Sequence, residues 1–223
     1  MSTDDEKLRA YYAARAPVYD RVYHKPERQS DLLRLQHRVP TLFAGRRVIE
    51  IACGTGYWTQ FIAPVAKSLV ATDVSLEALQ LARARGGVDQ VEFRIADAYR
   101  LGEELGSFDA AFSALWVSHV PRQRLRAFLK GLHRRLLPGS PVLLIDNSRA
   151  QCREHPITET DEYGNTYQTR LTDDQTEYRV LKNFPARDEL TEVIRGFGVN
   201  PVYEALEHFW TFHYVATQQK NPV

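Results

Sequence analysis

Between Arg47 and Asn147 the apolar positions follow two alternating patterns. Five short runs, RVIEIAC (47–53), SLVATDV (68–74), QVEFRIA (90–96), FDAAFSAL (108–115) and PVLLIDN (141–147), are nearly continuous in Val, Ile, Phe, Leu and Ala. Strands covered on both faces read this way. Between the runs, Trp58, Phe61, Ile62 and Val65 fall at i, i+3, i+4 and i+7, and Leu125, Phe128, Leu129, Leu132 and Leu136 repeat the same helical stripe. The alternation predicts βαβ units around a parallel sheet. Ser75, with Glu77 behind it, marks a helix start, Pro64 ends or kinks the helix before it, and Pro138-Gly139 stops the helix that precedes the fifth run.

Outside that stretch the pattern changes. The first forty residues place Tyr11, Tyr12, Tyr19 and Tyr23 among charges, which predicts an amphipathic helical arm with aromatic faces. From Ser148 to Pro185 the chain is polar and rich in turn residues, and DEYGNTYQTRLTDDQTEYRVLKNF (161–184) alternates about TDDQ, the pattern of a hairpin. An insertion at the carboxyl edge of a parallel sheet lies over the ligand crevice. Leu190, Val193, Ile194 and Phe197 mark one more helix, ended near Gly196 or Gly198, and PVYEALEHFWTFHYVAT (201–217) reads as two strands with a short link. The expected class is α/β: a Rossmann-like, seven-stranded, mostly parallel sheet with helices on both faces, an antiparallel last strand and a β-hairpin insertion after the fifth. Residues 1–223 form one domain in this reading, with an arm at 1–44, a core at 45–147, an inserted lid at 148–185 and a final helix and strands at 186–223.

Composition narrows the partners. A chain of 223 residues, 43% hydrophobic, suits one substantial core. With 29 Lys+Arg against 28 Asp+Glu it announces no surface dominated by positive charge, so nucleic acid is not an expected partner. Cys53 and Cys152 lie far apart and outside any metal-binding spacing, as expected of reduced thiols in a cytoplasmic protein without zinc. The start MSTDDEKLRA has no apolar leader core, and no run approaches membrane-spanning length, so no membrane partner is expected. A monomer or a homodimer fits this composition equally.

The candidate chemistry sits at the end of the first apolar run, VIEIACGTGYWTQF (48–61). Gly54 and Gly56 let backbone N–H groups approach a ligand closely at the start of a helix. A dinucleotide fingerprint asks for a third glycine where GTGYWT has Thr59, and Glu50 would bring negative charge to a pyrophosphate. The same carboxylate suits a ligand with an ammonium or sulfonium charge. Asp73, ending the second run, follows Gly56 at close to the spacing of about 20 residues at which an acid bonds ribose hydroxyls. Asp97, after the third run, accepts from an exocyclic adenine amine when ionised. Adenine, ribose, a carboxylate and an adjacent positive centre describe S-adenosylmethionine.

With VIEIACGTG, VATDVS, RIADAY, FDAAFSALWVSHV and LLPGSPVLLIDN in this order, residues 47–147 resemble the core of the class I S-adenosylmethionine-dependent methyltransferases, most in the style of the ubiquinone/menaquinone-type small-molecule enzymes. The arm YYAARAPVYDRVY resembles the tyrosine-containing segment that closes over the cofactor in such enzymes, which assigns Tyr19 to the cofactor side. The resemblance implies that Glu50, Gly54 and Gly56 hold the methionine end, with Ala52 standing where the family usually has glycine. It implies Asp73 on the ribose diol, Val74 against adenine, Asp97 with the backbone of Ala98 on the adenine edge, and Ser113 or Ala114 offering carbonyls to the ammonium group. S-adenosyl-L-homocysteine would be the product.

Methyl transfer is an in-line displacement at a carbon already activated by its leaving group, so positioning carries most of the work. A base helps where the acceptor is a hydroxyl or ring N–H. His119 in LWVSHVP is the leading candidate, with His24 and Asp146 behind it; the competing role for His119 is a rim histidine bonded to backbone. Trp116, Tyr19, Tyr23 and Trp210 are candidates to line an acceptor pocket. Asp146-Asn147 is similar to the metal pair of catechol-type O-methyltransferases, but Leu115 and Trp116 occupy the place of the completing acid, so no metal is expected. The expected function is therefore methyl transfer to an O or N atom of a small molecule. An NAD-type oxidoreductase and a non-catalytic S-adenosylmethionine-binding module are the alternatives.

Overall fold

The computed structural model describes residues 10–217, so the acidic start lies outside the described residues. Five parallel strands form, as the periodicity predicts: β1 (Arg47–Ile51), β2 (Ser68–Asp73), β3 (Val91–Ile95), β4 (Ala110–Ala114) and β5 (Pro141–Asn147), with α-helices in every connection except β3 to β4, which holds only the 3₁₀ turn Glu103–Leu105. Later in the chain β9 (Gly198–Ala205) and β10 (Phe209–Ala216) complete a seven-stranded sheet in the order β3-β2-β1-β4-β5-β10-β9. β10 runs antiparallel to β5 and β9 antiparallel to β10.

Side chains alternate between two cores, because successive strand residues point to opposite faces. Ile49, Ile51, Ala111, Val142 and Leu144 join one core with Leu125, Phe128 and Leu129 of helix Arg122–His133 and Leu190 of helix Arg187–Val193. Val48, Phe112, Leu143 and Ile145 join the other with Leu32, Leu35 and Val39 of helix Gln29–Phe43 and Ile62 of the short helix Thr59–Ile62. Each of the Val, Leu, Ile and Phe side chains among them contributes about 1.5–3 kcal/mol when removed from water. The short helix stops just before Pro64, which can supply no N–H to continue it. Helix Leu76–Arg83 begins at Ser75, whose hydroxyl accepts from Ala78 N at 3.1 Å while donating to Glu77 at 2.8 Å.

The insertion is larger than a hairpin. β7 (Thr166–Leu171) and β8 (Glu177–Leu181) pair antiparallel about the TDDQ turn, and a two-residue strand β6 (Glu159–Thr160) adds to β7 as a third strand. Two residues carry too little alternation to show in the sequence. The small sheet is tied to the segment after β4 by buried amides: Asn183 Nδ2 donates to Val120 O at 3.1 Å, and Asn183 N to Ser118 O at 2.7 Å. Asn165 Oδ1 accepts from Arg122 N at 2.7 Å. The arm comprises helical residues 10–15 followed by the 3₁₀ helix Ala16–Tyr23, and it lies across the carboxyl ends of the strands. Among the described residues no helix is long and apolar enough to cross a membrane.

Candidate functional site

Two adjoining cavities open at the carboxyl ends of the strands, one of about 340 Å³ and one of about 270 Å³. Tyr12, Tyr19, Leu115 and His119 line both and form the wall between them. Leu115 holds φ 57°, the left-handed region that costs a non-glycine residue about 1–2 kcal/mol. It ends β4 there, with its N–H bonded to Ile145 O at 2.8 Å. Such strain persists where the surrounding structure imposes it, often at a functional site.

The larger cavity is built from the strand ends that the sequence singles out. Gly54, at φ 56°, lines it, and a Cβ added there would meet no atom within 4 Å. Asp73 also lines it, with Oδ2 accepting from Gly54 N and Oδ1 from Ser75 N, each at 2.9 Å. Its carboxylate is therefore locked to the turn it faces. Val74, Asp97 and Ala98 continue the wall, Asp97 oriented by a 2.9 Å bond from Tyr99 N. Ala52 lines the cavity too, at φ 53°, which rationalises the glycine expected at this position. Ala114 and Trp116 close the β4 side, and Trp116 Nε1 is buried with no hydrogen-bond partner among the described residues. A turn with open space at Gly54 and two carboxylates at neighbouring strand ends suit an adenosyl group in volume and in polar pattern.

Three predicted residues stand behind this surface and not in it. Glu50 is 2% exposed and accepts from Thr59 Oγ1 at 2.7 Å, on the inner side of the turn. Burial raises its pKa to about 8, with Asp73 adding to the rise and the Thr59 bond opposing it. Gly56 (φ 77°) packs on the helix after β2: a Cβ there would stand 2.9 Å from Ala82 Cβ and 3.1 Å from Ala82 Cα. Ser113 is fully buried and donates to Ile51 O at 3.0 Å, leaving Ala114 as the lining residue of the pair.

His119 is 4% exposed and both ring nitrogens are engaged. Nδ1 lies 2.6 Å from Leu181 O, which can only accept, so the proton sits on Nδ1 and Nε2 accepts from Tyr12 Oη at 2.7 Å. Burial, then the charge of Lys182, depresses its pKa to about 3. A neutral, doubly bonded imidazole of that kind is a weak base at pH 7. Of the lesser candidates, His24 is exposed, while Asp146 is buried against Lys182 Nζ at 3.0 Å and accepts from Ser118 N and Asn147 N. Burial alone would raise the Asp146 pKa; Lys182 and these N–H groups hold it below the usual carboxylate value. Tyr23 stacks on Tyr57 at 3.5 Å between centroids, and Trp210 packs against Tyr203 in the core. Among the described residues no cluster of three or more His, Cys, Asp or Glu is placed to hold a metal ion.

The fastening of the arm is not visible in the sequence. Asp20 Oδ1 accepts from Thr55 Oγ1 at 2.6 Å, and Asp20 pairs with Arg85, which also donates to Thr55 O. The arm is thus latched to the glycine turn at one end and to His119 at the other. No periodicity announces contacts across such sequence separations.

Comparison with known proteins agrees with this geometry. Residues 48–139 match a family model described as a methyltransferase domain. The ubiquinone biosynthesis O-methyltransferase of Xanthomonas oryzae pv. oryzae (strain PXO99A) is 32% identical over 104 residues, which cover 45% of this chain; the chain spans 43% of the length of that relative. Among solved structures, a DhpI–SAH complex superposes with TM-score 0.79 at 27% identity, covering 97% of this chain and 99% of that one. A DhpI–SAM–HEP complex gives 0.76 at 29% identity, covering 96% and 99%.

Proposed function

We propose that the chain is a class I S-adenosylmethionine-dependent methyltransferase that transfers a methyl group from S-adenosylmethionine to an oxygen or nitrogen atom of a small acceptor. The observation that carries this reading is the turn in which Gly54 N–H holds the Asp73 carboxylate at 2.9 Å on the wall of a 340 Å³ cavity that also presents Asp97. Asp73 would hold the ribose hydroxyls, Asp97 and the backbone of Ala98 the adenine edge, and Val74 the adenine face. Ala114 would offer its carbonyl to the methionine ammonium. Glu50 contributes from behind, fixing Thr59 and the start of the short helix. The bound sulfonium supplies a methyl group already activated for displacement.

What the chain adds is alignment and exclusion of water. Tyr12, Tyr19, Leu115 and His119 line both cavities, so an acceptor in the smaller one would meet the donor at the boundary they form. His119 serves as the fixed acceptor that seats Tyr12 and takes no proton from the substrate. The insertion 148–185 acts as the roof of the acceptor side. A soluble, cytoplasmic enzyme acting on metabolites fits this arrangement. The test is incubation of the protein with methyl-labelled donor and fractionated cell extract, with products identified by mass. A labelled small molecule together with stoichiometric S-adenosylhomocysteine is expected. Thermal stabilisation by NADH but not by S-adenosylhomocysteine would favour an oxidoreductase, and tight donor binding without product a binding module.

A further inference from the structure

The smaller cavity holds an imbalance of charge that the cofactor site does not use. Its wall carries Arg15, Arg21, Lys25, Arg28, Arg170 and Lys182. Three of these have acidic partners: Arg21 with Asp173 at 3.0 Å, Lys182 with Asp146 at 3.0 Å, and Lys25 with Glu154. The other three pair with no carboxylate among the described residues. Arg170 is 8% exposed, and its Nε and Nη2 donate to one neutral acceptor, Gln168 Oε1, at 3.2 and 2.6 Å. Arg28 is 4% exposed; among the described residues Nη1 reaches only Val22 O and Asn147 Oδ1, both at 3.4 Å, and Nε has no partner. Arg15 Nη1 donates to Tyr11 Oη at 2.9 Å, and its guanidinium lies 5.8 Å from the centre of the Tyr19 ring in the dividing wall.

Buried charge without a counter-charge is costly, and three guanidiniums drawn to one cavity also repel one another. A chain with a net charge of +1 has no general excess of cations that would place them there by composition. The arm supplies Arg15, the segment leading into helix Gln29–Phe43 supplies Arg28, and strand β7 supplies Arg170, so three separate elements converge. Guanidinium is the side chain suited to bidentate bonding of planar or tetrahedral oxyanions.

We propose that the methyl acceptor is an organic oxyacid whose anionic head group is held by Arg15, Arg28 and Arg170 in the smaller cavity, beside the Tyr12–Tyr19–His119 wall. This rests on the methyltransferase reading above and adds the charge class of its acceptor. A deprotonated acid oxygen so held needs no base: its lone pair forms the new O–C bond, the C–S bond breaks, and the electron pair returns to sulfur. Where an uncharged atom of the same molecule is the nucleophile, the guanidiniums hold the molecule in register by its acid group.

The test uses the full chain in two independent titrations. Calorimetry with S-adenosylhomocysteine reports on the cofactor site alone; failure to bind overturns the methyltransferase reading and leaves the second titration interpretable. In the second, inorganic phosphate, sulfate and acetate are titrated at constant ionic strength in the presence of S-adenosylhomocysteine. Saturable binding of at least one, weakened about tenfold or more in Arg170→Gln and in the half-buried Arg15→Gln, with S-adenosylhomocysteine affinity unchanged, supports the proposal. Binding of none by the wild type, or equal binding by wild type and variants, overturns it, and the wild-type result stands even where a variant fails to fold. In the labelled-donor assay, methylated product is expected from the anion-exchange-retained fraction of the extract. Product arising only from the unretained fraction would overturn the proposal while leaving the methyltransferase reading intact.

Discussion

Tyr12 Oη donates to His119 Nε2 at 2.7 Å, and these two side chains, 107 positions apart, meet in the wall shared by both cavities. The bond fixes the role of each. His119, held to Leu181 O on its other nitrogen, stays neutral, and the phenol keeps its proton because burial raises its pKa well above the ordinary value.

Turnover is therefore expected to show no ionisation near the ordinary histidine value of 6.5 that disappears in His119→Gln. Tyr12→Phe leaves a buried ring nitrogen without its donor and is expected to lower stability by about 1–3 kcal/mol. A pH–rate profile and a denaturant titration check the two. A wild-type rate that falls with protonation at pH 6–7 and is flat in His119→Gln would restore His119 as a base.

Asp20 joins the arm to the glycine turn through Thr55 and Arg85. Both members of the ion pair are partly solvated, which screens it. Asp20→Ala is expected to speed dissociation of S-adenosylhomocysteine about three- to tenfold with little change in global stability. Stopped-flow displacement measures the rate; an unchanged rate means that the latch does not retain the cofactor.

The two glycines of the turn should separate in their effects. Gly56→Ala forces a Cβ against Ala82 backbone and side chain at φ 77° and is expected to destabilise by about 2–4 kcal/mol. Gly54→Ala has space at φ 56° and is expected to cost only about 1–2 kcal/mol of backbone strain. Its larger effect should fall on cofactor affinity. Equal destabilisation by both would contradict the distinct positions assigned to them.

Stability is expected to depend on pH in opposite senses through His119 and Glu50. The folded pKa of His119, about 3, lies below its ordinary 6.5, so the unfolded chain binds the extra proton between these values. Its contribution is full above pH 6.5 and is lost as pH falls toward 3. The folded pKa of Glu50, about 8, lies above its ordinary 4.5, so its contribution is full below pH 4.5 and is lost as pH rises toward 8. Urea midpoints from pH 4 to 8.5 should therefore show a shallower acid decline in His119→Gln and a shallower alkaline decline in Glu50→Gln. Slopes that match the wild type in both variants would remove these assignments.

The parallel core was legible because its strands are covered on both faces, so continuous apolar runs and their terminal acids, Asp73 and Asp97, stand out from the amphipathic helices between them. Ser75 declared its helix because an N-cap is a local bond. Glu50, acidic and next to a glycine turn, reads in the sequence as a ligand contact; its bond to Thr59 on the inner side of the turn is not legible there. The Arg15–Arg28–Arg170 convergence was not legible, since each arginine lies among ordinary polar residues and only the folded arm and insertion bring them to one cavity. The short strand β6 was hidden for lack of length.

Asp73, locked by Gly54 N and Ser75 N, faces the larger cavity. Calorimetric titration of S-adenosylhomocysteine into the wild type and Asp73→Ala should show one site per chain, weakened by about 1–3 kcal/mol in the variant through the lost ribose bonds. Equal affinity in the two proteins, or no binding to the wild type, would contradict this role for Asp73.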